Sequence, residues 1–328
     1  YLDLRREDIQ QNLIFRSRVA AVVRNYLLER EFVEIETPFL MRSTPEGARD
    51  FVVPSRKFTG KFYALPQSPQ LYKQLLMVSG FDRYFQITKC FRDEDLRKDR
   101  QPEFTQIDLE MSFVDEEDIL SLIEGLVVEI FDKSMGLKIG PKFPRLTYAE
   151  AMGRYGVDKP DTRFGLEMEN VSDIFAESGF KVFQTIVERG GLVKSINVKG
   201  GATISRNQID NLVAFAQEQG ANGMAWIKVT EKGLESSIVK FLNENCQKRL
   251  KERMHGEPGD LLIFVADKTS LVNKTLGAVR LKLGDDLNLI DHAKFDVLFV
   301  TEFPLFERDY ETGQIASMHH PFTSPMAE

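Results

Sequence analysis

The densest chemistry in the chain lies in Cys90 to Phe113, CFRDEDLRKDRQPEFTQIDLEMSF, where fixed cations, carboxylates and carboxamides crowd between two alternating segments. From Phe104 to Phe113 the alternation is unbroken. Phe104, Gln106, Asp108, Glu110 and Ser112 point one way, and Thr105, Ile107, Leu109, Met111 and Phe113 the other. Arg83 to Arg92 repeats the pattern, with Phe85, Ile87 and Phe91 opposite Gln86, Thr88, Cys90 and Arg92. Joined by the charged loop Asp93 to Glu103, the two segments predict an antiparallel hairpin whose polar face can floor a cleft. Arg92 has the planar fork that grips phosphate or carboxylate bidentately. Phe104, the aromatic residue on the polar face, can stack on a flat base. The plainer reading is a sheet face that meets water and a solvated hairpin tip. Mixed cations and acceptors suit recognition of a zwitterion or a phosphate better than they suit solvent.

Other candidates are weaker alone. Lys73 sits on an expected helix from Ser68 to Ser79, which Pro69 opens and Gly80 follows. An isolated helix lysine is ordinarily exposed, but the polar entry QSPQ makes an inward orientation reasonable. Glu46, in TPEGARD, could simply turn the chain with Gly47. His319 and His320 are adjacent, yet only His255 and His292 accompany them and there is no cysteine cluster, so ligand count argues against a metal site. In an extended segment neighbours face opposite sides, so only one of that pair would contact a substrate.

The elements that must position these groups follow from periodicity. Asp8 to Arg30 predicts an amphipathic helix with Ile9, Leu13, Val19, Val22, Val23, Tyr26 and Leu27 recurring at helical spacing. FVEIETP then suggests a short strand limited by Pro38. Glu116 to Met135 predicts a helix capped by Asp115, with Glu116, Glu117 and Asp118 at its positive end. The stretch RYGVDKPDTRFG marks a boundary. Beyond it, strand candidates (Lys181 to Val187, Ala225 to Val229, Leu261 to Ala266) alternate with helix candidates (Ser205 to Gln219, Ser236 to Lys251, Ser270 to Leu283), which indicates an α/β insertion over 162–290 between core segments 1–161 and 291–328. FDVLFVTEFPLF returns to a strand pattern, and a turn is expected at Glu311 to Gly313 before MHHPFTSP.

Bulk properties bound the function. The 328 residues are 42% hydrophobic and 28% charged, enough for two folded domains. A net charge of −7 excludes a surface that binds polyanions everywhere and confines any nucleic-acid contact to a local patch. Cys90 and Cys246 lie far apart and no secretory leader is visible, so a reducing, cytoplasmic setting is expected. No apolar run approaches the roughly 18 residues of a membrane span.

At this point a resemblance enters. FRDE at Phe91 to Glu94 resembles motif 2 of class II aminoacyl-tRNA synthetases, and the long helix leading to IETP at Ile35 to Pro38 resembles motif 1. YLDLRR (Tyr1 to Arg6), TPEGARDF (Thr44 to Phe51), FYALPQSPQLYKQLLM (Phe62 to Met77), FRDEDLRKDRQPEFTQID (Phe91 to Asp108) and MHHPFTSP (Met318 to Pro325) together resemble the bacterial-type aspartyl-tRNA synthetase family. That resemblance implies an α+β fold: an antiparallel sheet flanked by helices, with an inserted α/β domain, assembled as a homodimer through motif 1. The implied reaction is ATP-dependent activation of L-aspartate and transfer to the 3′ end of tRNA-Asp, or also tRNA-Asn, with Mg²⁺ accompanying ATP. Carried over by position, Arg92 would grip the α-phosphate and the substrate carboxylate. Asp93, Glu94, Gln101 and Phe104 would join it at ATP. Glu46, Ser68, Gln70 and Asp108 would surround the aspartate amino group and backbone, Lys73 would pair with the side-chain carboxylate, and the His319–His320 segment would close over the substrate. The third class II motif and the anticodon-binding barrel are not found, so a piece of a longer enzyme is expected. A related asparaginyl or lysyl enzyme, and a noncatalytic segment that binds RNA or a partner, stay open at this stage.

Overall fold

The computed structural model describes residues 1–44, 46–96, 100–308, 313–319 and 323–325. Chain contacts divide the protein into two units, Tyr1–Phe143 with Leu305–Glu328, and Pro144–Pro304.

The first unit opens with α1 (Glu7–Leu28), which leads into the short strand β1 (Val33–Glu34). A hairpin of β2 (Val52–Pro54) and β3 (Phe62–Ala64) precedes α2 (Gln70–Val78). Pro69 is the residue before α2 rather than its first, and its carbonyl accepts from the Lys73 N–H at 3.0 Å. The expected hairpin follows as β4 (Arg83–Phe91) and β5 (Glu103–Met111), in register from Arg83 opposite Met111 to Phe91 opposite Glu103. With β1 parallel to β4, they form a three-stranded sheet in the order β1-β4-β5.

Alternation decides what each face does. Phe85, Ile87, Leu109 and Met111 pack with Val23, Leu27 and Phe32 from α1 and the turn after it, and with Leu126 from α3 (Glu116–Ile130). A Cβ on Gly125 would collide with the Tyr26 hydroxyl, which donates to Leu122 O at 3.1 Å, so α1 and α3 meet closely only because that residue is glycine. The opposite face carries Gln86, Thr88, Gln106 and Asp108. Asp115 caps α3 through a reciprocal box with Asp118. The helix expected to reach Met135 instead widens after Ile130 into a π turn, Phe131–Met135, that ends at left-handed Gly136. On α1 the amphipathic expectation holds for the C-terminal half, whereas Leu13, Ile14 and Phe15 remain exposed.

The second unit begins with β6 (Arg145–Thr147) and α4 (Tyr148–Arg154). There follow β7 (Met168–Asn170), α5 (Ser172–Ala176), α6 (Lys181–Glu188), β8 (Leu192–Val198), α7 (Arg206–Glu218), β9 (Ala225–Thr230), β10 (Gly233–Glu235), α8 (Glu244–Arg253), β11 (Leu261–Asp267), α9 (Thr269–Asp286) and β12 (Phe299–Thr301). The five-stranded sheet β10-β9-β11-β8-β7 is antiparallel at every pairing. Central β11 is buried on both faces. Leu261, Ile263 and Val265 pack with apolar residues of α7 and α9, and Leu262 and Phe264 with those of α5, α6 and α8.

Three expectations are corrected here. Lys181 to Val187 is helix rather than strand: Phe183, Ile186 and Val187 share a helical face against the core, while Val182 is exposed. The helix expected from Ser236 starts at Glu244, where the Asn243 side chain accepts from Cys246 N–H. The division between units falls at 143/144 and 304/305 rather than 161/162 and 290/291. The physical reason is that β6 pairs with β12 in parallel, and Lys194 Nζ donates to Gly153 O at 2.7 Å, so the flanking segments pack with the second unit.

The chain re-enters the first unit through the hairpin of β13 (Phe306–Arg308) and β14 (Ile315–Ser317). Glu311 and Thr312 of the expected turn, His320, and Arg97, Lys98 and Asp99 of the charged loop lie outside the described residues. Cys90 and Cys246 are free, buried thiols. No described helix is long and apolar enough to cross a membrane.

Candidate active site

Arg92 emerges from the end of β4, where its N–H donates to Pro102 O at 2.8 Å across the hairpin. Its guanidinium carbon lies 5.1 Å from the centroid of the Phe104 ring, and Nε donates to Gln67 O at 3.3 Å. A fixed cation and a flat apolar surface therefore stand side by side. They line a cavity of about 650 Å³ together with Arg16, Glu94, Asp95, Arg100 and Gln101. A second cavity of about 600 Å³ is lined by Glu46, Ser68, Gln70, Lys73, Arg92, Glu94, Gln106 and His319. Arg92 and Glu94 border both, so the two spaces adjoin at these residues. Asp93 borders a smaller adjoining space of about 330 Å³ with Arg49 and Arg100.

The floor of the second cavity is the polar face of the hairpin. The first turn of α2 points Lys73 at it: Nζ lies 2.9 Å from Asp108 Oδ1 and 3.2 Å from Glu110 Oε2, and the lysine side chain is only 12% exposed. Burial pushes the Asp108 carboxyl above its ordinary range, with Lys73 pulling against that shift. Burial alone would lower Lys73, but Asp108 and Glu110 together hold it above its ordinary value. Asp108 Oδ2 is buried and makes no close hydrogen bond among the described residues, although the Tyr84 hydroxyl lies near enough to the carboxylate to pull against its upward shift. Beside Asp108 on the same face, Tyr84 OH and Thr37 Oγ1 donate to Gln86 Oε1 at 3.0 and 2.9 Å. Cys90 Sγ donates to Gln106 Oε1 at 3.0 Å, and burial pushes its thiol up to about 11, so it stays protonated near neutrality.

Glu46 is held at the rim by Ser68 Oγ at 2.6 Å and Thr44 Oγ1 at 2.7 Å, both donating. The loop reverses at Gly47, whose φ of 101° lies where side-chain-bearing residues are strained, although the space beside it is open.

The structure thus gathers Glu46, Ser68, Gln70, Lys73, Arg92 and His319 around one cavity and Arg92, Glu94, Gln101 and Phe104 around its neighbour, with Asp108 buried against Lys73 rather than in either lining and Asp93 to one side. Gln67, Gln106, Glu110 and Arg16 also belong to the surroundings and were not among the expected site residues. Gln106 and Glu110 were legible in the alternation of β5. Gln67 and Arg16 carried no signal beyond polarity. Chemically, the Asp108 carboxylate and Glu46 suit an ammonium group, and Lys73 and Arg92 suit carboxylates. The Arg92–Phe104 wall suits a phosphate attached to a flat base. Among the described residues no group of three or more candidate metal ligands gathers.

Fold and site together define a class, and comparison with known proteins agrees. The profile described as tRNA synthetases class II (D, K and N) matches residues 1–328, and the chain belongs to that family. Among similar curated proteins, the aspartate--tRNA(Asp/Asn) ligase of Aquifex aeolicus is 56% identical over 328 residues, covering 100% of this chain and 54% of the relative. The aspartate--tRNA ligases of Halalkalibacterium halodurans and Ruminiclostridium cellulolyticum are 54% and 56% identical over 329 residues, with 55% and 56% of each relative covered. The chain therefore spans about half the length of the curated relatives it matches.

Proposed function

We propose that the protein carrying this chain is an aspartate-tRNA ligase, which activates L-aspartate with ATP and transfers it to the 3′ end of tRNA-Asp. The observation that carries this reading is that Arg92 borders both the Lys73 cavity and the Phe104 cavity. In the proposed complex, Lys73 meets the aspartate side-chain carboxylate, while Asp108 Oδ2 and Glu46 accept from the ammonium group. Ser68, Gln70 and His319 enclose the backbone of the amino acid. Phe104 stacks on adenine, with Glu94, Asp93 and Gln101 at the nucleotide.

The α-carboxylate of aspartate then lies at Arg92, beside the α-phosphorus. Its oxygen attacks that phosphorus, the P–O bond to the leaving group breaks, and pyrophosphate departs with the electron pair. A ribose hydroxyl of tRNA next takes the aspartyl group and releases AMP. No side-chain nucleophile is required. Positioning alone can supply roughly 7 to 11 kcal/mol of the barrier, and Arg92 adds neutralisation of the charge building on the phosphate. Mg²⁺ is proposed as the companion of the ATP phosphates. It keeps much of its water shell, and no ligand in this chain is assigned to it.

Relatives named for both tRNA-Asp and tRNA-Asn, and relatives named for aspartate--tRNA alone, match this chain at 56% and 54% identity. The proposal therefore includes tRNA-Asp, and charging of tRNA-Asn is decided by assay. Exposed Leu13, Ile14 and Phe15 on α1 support a homodimer through the motif 1 region. The first unit is proposed as part of the catalytic core, the second as the bacterial-type insertion, and the setting as cytoplasmic. ATP–pyrophosphate exchange by the full-length protein with each amino acid in turn tests the reading. Exchange specific to aspartate is expected. Exchange with asparagine or lysine instead, or with none, would overturn it.

A further inference from the structure

Gln67 is 2% exposed, and its side chain touches none of the cavity space. Its carboxamide nevertheless makes three hydrogen bonds to the loop that carries Glu46, using both donors and one acceptor position. Nε2 donates to Ala48 O at 2.8 Å and to Asp50 Oδ1 at 2.6 Å, and Oε1 accepts from Ala48 N–H at 3.0 Å. The side chain thus pairs with Ala48 as a strand neighbour would, next to the isolated bridge between Arg49 and Asp93 that also anchors the loop. The backbone of Gln67 serves the other side of the site, because its carbonyl accepts from Arg92 Nε at 3.3 Å. Adjacent Ser68 donates to Glu46 itself.

We propose that Gln67 is a positioning residue: its side chain locks the Ala48–Asp50 loop so that Glu46 faces the amino-acid cavity, while its carbonyl independently braces Arg92. The inference deepens the aspartate-activating reading and rests on it. Since the loop bonds use the side chain and the Arg92 bond uses the backbone, a side-chain substitution loosens the loop that carries Glu46, leaves Glu46 only its Ser68 and Thr44 bonds, and spares Arg92. Ala48 is half-buried, so water can replace the lost partner and the loop can loosen without unfolding the unit.

The test is kinetic and structural, on the full-length protein that carries this chain. Gln67→Met removes the donors and the acceptor. Gln67→Glu removes the donors and sets a carboxylate against both Ala48 O and Asp50. In both variants the aspartate KM in pyrophosphate exchange should rise roughly 10- to 100-fold, the cost of one misplaced charge-assisted contact, with the ATP KM nearly unchanged. Adding Asp50→Asn to Gln67→Glu restores one donor and should recover part of the aspartate KM. Hydrogen exchange of the amides in 46–50 should accelerate while β4 and β5 keep their protection. An unchanged aspartate KM, a parallel rise in both KM values, or unaltered exchange in the loop would overturn the inference. A wild-type parent without aspartate-dependent exchange removes the functional reading and this inference with it. A normal parent with an indifferent Gln67→Met removes the inference alone.

Discussion

Lys73 Nζ lies 2.9 Å from Asp108 Oδ1, so a cation from α2 is already paired with an acid from β5 before any ligand enters. The pairing leaves Asp108 Oδ2 unbonded and places Glu110 Oε2 at 3.2 Å on the same ammonium. A zwitterion with an acidic side chain would complete an alternating set of charges: its ammonium toward Asp108 and Glu46, its carboxylates toward Lys73 and Arg92. An amide side chain in place of the acid would leave Lys73 with one charged partner fewer, which under the proposed function is what would favour aspartate over asparagine.

Replacing Lys73 by Met in the full-length protein should raise the aspartate KM by on the order of 100-fold while leaving the ATP KM nearly unchanged. The same change strips buried Asp108 of its cation, and stability should fall by about 3 kcal/mol at neutral pH in urea titration. Combining it with Asp108→Asn should return part of the stability and none of the aspartate affinity. An unaltered aspartate KM would take Lys73 out of the site.

Arg92 and Phe104 should separate chemistry from nucleotide binding. Arg92→Lys keeps the charge but loses the fork, and the exchange kcat should fall roughly 100- to 1,000-fold. Phe104→Ala removes the flat surface 5.1 Å from the guanidinium, and the ATP KM should rise about 10- to 100-fold with the aspartate KM little changed. Steady-state exchange kinetics with each substrate varied in turn would decide this. Equal effects of both changes on both substrates would mean that the two cavities do not hold separate ligands.

The polar face of the β4–β5 hairpin was legible because alternation is a local property: Gln106, Asp108 and Glu110 follow from counting by two along β5. Lys73 needed only one more step, since a helix entered through Pro69 fixes which side of the first turn faces the sheet. Gln67 was not legible. Its partners Ala48 and Asp50 come from a loop 19 and 17 residues away, and no periodicity links a loop to the residue that ties it down. The second unit failed in a different way. The V-F-Q-T-I-V composition of Lys181 to Val187 favours strand locally, but burial of Phe183, Ile186 and Val187 on one helical face outweighs that propensity. The edges of that unit were misplaced because the parallel pairing of β6 with β12 joins residues more than 150 positions apart.

Asp260 should contribute to the acid sensitivity of the second unit, beside Glu150, Asp161, Glu167 and Asp173, whose carboxyls are also held below their ordinary values. Burial would raise its carboxyl, but the N–H groups of Glu257 and Gly200, Lys199 and Asn197 outweigh burial and hold it below the ordinary 3.8. A folded pKa below the unfolded one means stability that is present above pH 3.8 and is lost as pH falls through the lower folded value. Thermal melts across that range should therefore show a steep acid limb in the wild type and a shallower one in Asp260→Asn, which cannot titrate. The variant should be less stable at pH 7, where the wild-type carboxylate keeps Lys199 Nζ at 3.0 Å. Parallel acid limbs in the two proteins would remove Asp260 as a cause.

Arg280 of α9 is 1% exposed, and no described carboxylate lies within ion-pair distance of it. Its charge is met instead by dipoles and ring faces. Nη2 donates to Asp161 O, Phe164 O and Gly165 O, each at 2.8 Å, and the guanidinium carbon sits 4.0 Å from the Phe164 centroid and 4.9 Å from that of Tyr155. Burial lowers its pKa below the ordinary guanidinium value, a direction that still leaves a guanidinium charged at neutral pH. Those bonds tie the irregular segment 161–165 to α9, so Arg280→Met strands three carbonyls at once and should destabilise the unit by about 3 kcal/mol. Arg280→Lys retains a donor but cannot stack between two rings, and should recover less than half of that loss. Urea titration gives the energies, and hydrogen exchange over 159–167 shows whether the loss is local. A loss below about 1 kcal/mol for Arg280→Met, within the range of an ordinary surface change, would show that the segment is held by other contacts.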